Sequence, residues 1–241
     1  MALILNIETS TEVCSVALAR DGAVIHSREN LTGQNHASLV TVFIKELLAE
    51  SNILIEQVDA VAVSGGPGSY TGLRIGVSVA KGVCYAAHLP LIAITSLEAM
   101  AHQVIHHPDI YQFHETENVL FCPMIDARRM EVYTSFYDLN GKQVRKIQAD
   151  IIDHQSYLPY LEKNTVLFFG NGAAKCRDTI THPNAIFING MITSAEYMVP
   201  LAEQDFLLQK FVDVAYYEPF YLKDFVATIP VKNIFKNNQS H

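Results

Sequence analysis

Apolar positions along this chain fall into short continuous runs and helical stripes, in an order that can be read directly. Residues 3–7 are apolar and predict a buried strand. Val13 to Arg20 predicts a second strand and residues 23–30 a third, joined by Asp21-Gly22, a hairpin signal because glycine tolerates positive φ. Over 36–50, Leu39, Val40, Phe43, Leu47 and Leu48 recur at helical spacing, with Lys45, Glu46 and Glu50 opposite. Val58 to Ser64 is a short buried strand, followed by the loop Gly65-Gly66-Pro67-Gly68 and a long helical stretch from Thr71 to Ala87. Leu91 to Ile94 is another short strand, after which Ser96 opens a helix with Glu98 in its first turn.

The second half repeats this order. Ile7-Glu8, a short polar turn, the strand from Val13 and the Asp21-Gly22 hairpin are matched by Ile125-Asp126, Ala127-Arg128-Arg129, the strand Val132 to Tyr137 and the Asn140-Gly141 hairpin. A second glycine-rich loop follows at Gly170-Asn171-Gly172. Self-similarity in fixed order outweighs any single motif. It predicts an N-terminal domain over 1–105 and a smaller related domain over 119–232. The polar, histidine-rich stretch 106–118 (His106, His107, Pro108, Asp109, His114, Glu115, Glu117, Asn118) is the linker, and 233–241 a polar tail. Two facing α/β domains, each opening on a meander with an acid at the end of its first strand, describe the actin-like ATPase (ASKHA) architecture. A plain doubly wound sheet is the alternative.

Composition narrows the partners. The 241 residues carry 17 basic against 25 acidic side chains, a net charge of −8, which is poor equipment for gripping nucleic acid unaided. With 49% hydrophobic and 17% charged residues the chain is core-rich rather than disordered. A mean hydropathy of +0.15 points to an apolar surface that a partner covers. Cys14, Cys84, Cys122 and Cys176 form no CxxC pair and read as free thiols of a reducing compartment. The start of the chain has no basic region and is broken by Asn6 and Glu8, so it reads as a strand rather than a signal peptide. No apolar run approaches the ~20 residues that span a bilayer, and the expected location is the cytoplasm.

The segment Ser64-Gly65-Gly66-Pro67-Gly68-Ser69-Tyr70-Thr71-Gly72-Leu73-Arg74-Ile75-Gly76 resembles the signature of the TsaB (YeaZ) family. Asp126-Ala127-Arg128-Arg129-Met130-Glu131-Val132-Tyr133 resembles that family's second hallmark. Glu8-Thr9-Ser10-Thr11, Asn35-His36 and Tyr221-Leu222 before Ile229-Pro230 are similar too. The resemblance implies an actin-like fold and a part in making N6-threonylcarbamoyladenosine, at the adenosine 3′ of the anticodon in tRNAs that read codons starting with A. It implies a non-catalytic activator that pairs with the paralogous catalytic subunit TsaD, is joined by the ATPase TsaE, meets tRNA through that complex and forms a homodimer when alone. Stand-alone ATPase or kinase chemistry, and metallopeptidase chemistry, are the rival expectations.

Departures from the catalytic paralogue matter. It carries His-x-x-x-His, which places two imidazoles on one helix face. Here Ser96 and Met100 stand at those two positions, so no metal and no catalytic residue is expected. Gly65, Gly66, Gly68, Ser69, Thr71 and Arg74 are the candidates for a nucleotide or loop site. The loop lacks the Gly-Lys-Ser/Thr ending of a P-loop, so no cofactor is expected on this chain alone; a nucleotide is expected, if anywhere, at the partner interface. Gly72, Gly76 and Ala80, at spacing four, form a small-residue stripe. It packs either on the chain's own sheet or against another subunit; the resemblance implies the latter, with Leu39 and Phe43 of the preceding helix completing the partner interface. Arg74, in the first turn of its helix, opposes the helix dipole and calls for a carboxylate or phosphate partner. Glu8 and Asp126 are either acids lining a cleft or turn-capping groups. His102 and His106, four apart beside His107, suit a zinc site less well than a solvated loop, and His36 suits a polar contact better than ligation. Arg128 and Arg129 are chemically suited to phosphate, but two charges make a thin electrostatic footprint.

Overall fold

The computed structural model describes residues 2–33, 35–111, 113 and 118–222. His114, Glu115 and Glu117 of the expected linker, the Ile229-Pro230 pair and the polar tail 233–241 lie outside the described residues.

Two five-stranded mixed sheets are built in the same order. In the first, β1 (Leu3–Glu8), β2 (Cys14–Arg20) and β3 (Ala23–Asn30) form the antiparallel meander, and β4 (Ala60–Gly66) and β5 (Leu91–Thr95) add in parallel on the other side of β1. The strand order is β3-β2-β1-β4-β5. In the second, β6 (Val119–Asp126), β7 (Glu131–Tyr137) and β8 (Gln143–Ile151) form the meander, with β9 (Thr165–Phe169) and β10 (Ala185–Phe187) parallel to β6. Its order, β8-β7-β6-β9-β10, is the same element for element. Asp21 and Gly22 both take positive φ, 51° and 74°, the pair of values a two-residue hairpin with right-twisted strands requires.

The helices are α1 (His36–Glu50), α2 (Tyr70–Ala87), α3 (Ser96–Ile105), α4 (Pro108–Tyr111), α5 (Leu158–Leu161) and α6 (Val199–Leu207). The two halves differ here. Where the first half has the fifteen-residue α1 between β3 and β4, the second has only the four-residue α5 between β8 and β9. Where the first has the eighteen-residue α2, the second has a single 3-10 turn, Ala174–Cys176. Part of the polar stretch 106–118 is helical, as α4.

Val40, Ile44 and Leu47 of α1 and Val77, Ala80 and Cys84 of α2 close one face of the first sheet over Leu5, Val16 and Val63. Its other face packs on α6 through Ala202 and on Ala99 of α3. The remaining apolar side chains of α3 (Leu97, Met100, Val104) face the second sheet at Phe121, Leu167 and Phe169. Thus α3 lies between the two sheets and ties the halves into one body.

Candidate functional site: the cleft turns and the outer helix pair

In the first half, β1 ends at Glu8 and the chain turns through Thr9 and Ser10 against the start of α2. Glu8 is 1% exposed; burial pushes its carboxyl above the ordinary glutamate range, opposed by hydrogen bonds from Ser10 and Ser64. The Ser10 N–H donates to Glu8 Oε1 at 2.5 Å. Thr9 Oγ1 donates to the Gly72 carbonyl at 2.8 Å, and the Ser69 N–H donates to the Ser10 carbonyl at 2.6 Å. Ser69 is also the N-cap of α2, its hydroxyl accepting the Gly72 N–H. A methyl group at Gly68 would overlap the Ser10 carbonyl, and one at Gly72 the Thr9 carbonyl. These glycines therefore admit the chain's own backbone at the spot where a phosphate would approach a helix N-terminus. The Ser69 and Gly72 N–H groups are engaged internally, and no lysine stands at the loop's end.

The same close approach decides which way α2 faces. Gly72, Gly76 and Ala80 are buried, Gly76 lying against the Thr9 side chain and Ala80 in the first core. The resemblance implied a partner interface for this stripe; the structure corrects that, burying it against the chain's own Thr9 and first core, because the cleft turn occupies the space the missing side chains leave. Outward, α2 shows Thr71, Arg74, Ser78, Gly82, Tyr85 and Ala86, and a Cβ at Gly82 would meet open space. Tyr85 is 81% exposed. Beside them, Ile75, Val79 and Val83 of α2 and Leu39 and Phe43 of α1 are only half-buried, and Val42 is exposed. The outer surface of the α1–α2 pair therefore sets partly exposed apolar side chains among small and polar residues.

A strap over residues 212–221, of which only Tyr221 was marked in the sequence, runs along the other flank of α2. Val212 bridges to Leu91, Lys81 Nζ donates to the Ala215 and Tyr217 carbonyls (2.9 and 3.1 Å), and the Phe220 N–H donates to the Gly65 carbonyl. Gly65 is close to the Tyr217 hydroxyl and Gly66, at φ 99°, to the Phe220 carbonyl. The density of Tyr216, Tyr217, Phe220 and Tyr221 was the available signal. Arg74, for which a carboxylate or phosphate was expected, stacks instead over Tyr70 (4.2 Å to the ring centroid) and donates from Nε to the Tyr221 hydroxyl at 3.3 Å. Cation–π contact with the half-buried Tyr70 ring and the bond to Tyr221 supply the near partners of its charge, with Glu218 adding attraction from further off.

Asp126, the counterpart of Glu8, is exposed and paired with Lys175. The two turns meet across the cleft. The Asp126 N–H donates to Asn171 Oδ1 (3.0 Å), whose Nδ2 donates to Glu12 Oε2 (2.7 Å). Thr11 and Thr193 share a hydroxyl hydrogen bond of 2.7 Å. His36 Nε2 lies 3.1 and 3.2 Å from the Thr11 and Val13 carbonyls, so it carries the proton and fastens α1 to the same turn.

Ser96 and Met100 are both buried, Met100 within the core between α3 and the second sheet, so this window makes an apolar contact. His102 belongs to α3 rather than to a loop: its ring stacks on His106 at 3.9 Å, and burial with the neighbouring imidazoles lowers it to about 4. His106 and His107 turn their Nδ1 atoms to the carbonyls of His102 and Gln103. Among the described residues no three His, Cys, Asp or Glu side chains gather as a metal site, and no helix is long and apolar enough to cross a membrane.

Comparison with known proteins supplies the remaining observation. A protein-family model described as "TsaD: tRNA N6-adenosine threonylcarbamoyltransferase" matches residues 24–231. The tRNA threonylcarbamoyladenosine biosynthesis protein TsaB of Haemophilus influenzae is 32% identical over 235 residues, 93% of this chain and 94% of that protein. The TsaB protein of Escherichia coli is 32% identical over 232 residues, 93% of this chain and 96% of that protein. The solved structure of YeaZ from Pseudomonas aeruginosa superposes with a TM-score of 0.79 at 26% identity, covering 92% of this chain and all of that one. The duplicated sheets are thus the actin-like fold.

Proposed function

Since the chain belongs to the TsaB family of tRNA threonylcarbamoyladenosine biosynthesis proteins, we propose that it acts there as a non-catalytic activating subunit. It pairs with the catalytic TsaD subunit, and the ATPase TsaE joins the pair. The observation that carries this reading is the outer α1–α2 surface. It combines half-buried Leu39, Phe43, Ile75, Val79 and Val83 with exposed Val42 and Tyr85 around Gly82. Apolar side chains left partly exposed along two packed helices suit burial by a partner. The inward stripe of Gly72, Gly76 and Ala80 supports it indirectly, by holding α2 in place. The same face would serve a homodimer of the isolated chain, because a second copy offers the same apolar complement. A nucleotide, where the assembly holds one, belongs at the subunit interface, since the loop of this chain is engaged with Ser10. The work of the subunit is then to order the partner's cleft; Ser96 and Met100, buried in the core, provide no imidazole of their own.

Reconstitution tests the proposal. Unmodified tRNA, threonine, bicarbonate, ATP, a threonylcarbamoyl-adenylate synthase, TsaD and TsaE are assayed for threonylcarbamoyladenosine with and without this chain. Product only in its presence is expected. Equal product without it would remove the activator role.

A further inference from the structure

The β6–β7 turn holds two consecutive arginines in the left-handed region, Arg128 at φ 69° and Arg129 at φ 47°. Side chains with a Cβ disfavour this region, which glycine, asparagine or aspartate ordinarily takes. One residue holds the turn in place. Lys175 Nζ donates to the Asp126 carboxylate and, at 2.7 Å each, to the carbonyls of Arg129 and Glu131. An ammonium has three donors, and all three go to this turn. The Arg128 N–H adds a fourth tie, to Asp126 Oδ1 at 2.8 Å.

The charges left over are the informative part. Lys175 and Asp126 neutralise one another, whereas Arg128 and Arg129 are exposed. Among the described residues neither guanidinium makes a hydrogen bond or ion pair. A fold that needed only a tight reversal here would be served by uncharged turn residues. Two unopposed guanidiniums on a clamped turn, in a chain of net charge −8, are a local anion contact. Neither arginine lines the pocket beside Arg145 and Tyr157 or the one beside Arg177 and His182. A projecting turn instead meets the outside of an extended polyanion, whose successive phosphates can each take one guanidinium.

We propose that the Arg128–Arg129 turn contacts the phosphodiester backbone of the tRNA substrate directly, with Lys175 and Asp126 as positioning residues. This rests on the reading that the chain works in the threonylcarbamoyl-transfer complex. Two phosphate contacts add little affinity alone, so the contact orients tRNA already drawn in by the assembly.

The test uses the full chain in complex with its catalytic partner, and an unmodified tRNA transcript as probe, titrated by fluorescence anisotropy over a series of KCl concentrations. Arg128→Asn with Arg129→Gly removes both charges while installing residues that favour positive φ, so the variant should melt no lower than the parent. Its tRNA affinity at low salt should fall about tenfold. Its plot of log K against log salt should flatten by about 1.4–1.8, two contacts at ~0.7–0.9 each. Arg128→Lys with Arg129→Lys should restore the slope. Lys175→Met, which keeps both arginines but frees the turn, should weaken binding with the slope largely retained. Unchanged affinity and slope in the Asn/Gly variant, while the parent complex modifies tRNA, would overturn this assignment alone. Unchanged tRNA binding with weaker association of the catalytic partner would also overturn it, making the turn a protein contact. A parent complex whose modification does not depend on this chain would overturn the underlying reading.

Discussion

Gly76 lies so close to Thr9 that a methyl group in place of its hydrogen would overlap Thr9 Oγ1, the hydroxyl that donates to the Gly72 carbonyl one turn earlier. This contact seats α2 on the cleft turn and orients the rest of the helix. Gly→Ala inside a helix ordinarily gains about 1 kcal/mol. At Gly76 the sign should reverse, because Thr9 must shift, with a loss of roughly 1–3 kcal/mol. Gly82→Ala, with open space around it, should gain about 0.5–1 kcal/mol. Urea denaturation of the two variants reads both signs, and a gain at Gly76 would contradict the inward placement.

The outer face separates folding from assembly. Val42→Asp and Gly82→Arg put charge or bulk on exposed positions of α1 and α2, so the isolated chain should keep its melting temperature within a few degrees. Association with the catalytic partner, followed by light scattering on a sizing column, should be lost or weakened more than tenfold. Gly76→Arg is the poorer probe, since it would disrupt the cleft turn before reaching any partner.

Glu8 makes stability depend on pH. Burial raises its folded pKa above the unfolded value, so the folded state binds this proton more tightly. The stabilisation this brings is fully present below the ordinary glutamate range and is lost as pH rises through the raised value. Glu8→Gln keeps an oxygen for the Ser10 N–H and removes the titration. It should be more stable than the parent at neutral pH, with the advantage vanishing in acid. Melting curves across pH for the two proteins check this; parallel curves would mean that Glu8 does not titrate between them.

Arg145 and Asp150 form a two-pronged ion pair of 2.7 and 2.8 Å, with side chains only 17% and 16% exposed, and the Tyr157 hydroxyl donates to the same carboxylate. Removing one member of a nearly buried pair strands the other's charge. Asp150→Ala should cost about 3 kcal/mol in chemical denaturation, whereas Tyr157→Phe, which leaves the ion pair intact, should cost about 1 kcal/mol.

Glu12 and Asn171 join the two halves at an exposed site. Double-mutant cycles of Glu12→Ala and Asn171→Ala should give a coupling of about 0.5–1 kcal/mol, screened by added salt. Zero coupling at low salt would mean this contact contributes nothing to holding the halves together.

Much of the architecture was legible from local pattern. Both meanders, α1, α2 and the acid ending each first strand follow from hydrophobic period and turn residues, which act within a few positions of the chain. Met100 and Ser96 were equally legible, since an absent imidazole is a fact of sequence. The shrinkage of the second half's helices to α5 and one 3-10 turn was not, because the short apolar runs there lack the length that distinguishes a helix from a loop.

The sequence by itself determined which residues share a face: Gly72, Gly76 and Ala80 on one side of α2, Ser78, Gly82 and Ala86 on another. What each face meets was decided only by the tertiary structure. The inner stripe meets Thr9, brought from 63 positions away, since Thr9 bonds to Gly72. Arg74 meets Tyr221, 147 positions away. Arg128 and Arg129 became informative only when their φ values and the Lys175 clamp were visible. Periodicity constrains the direction of a side chain relative to its own element; burial, charge pairing and backbone strain are properties of what the rest of the chain places opposite it.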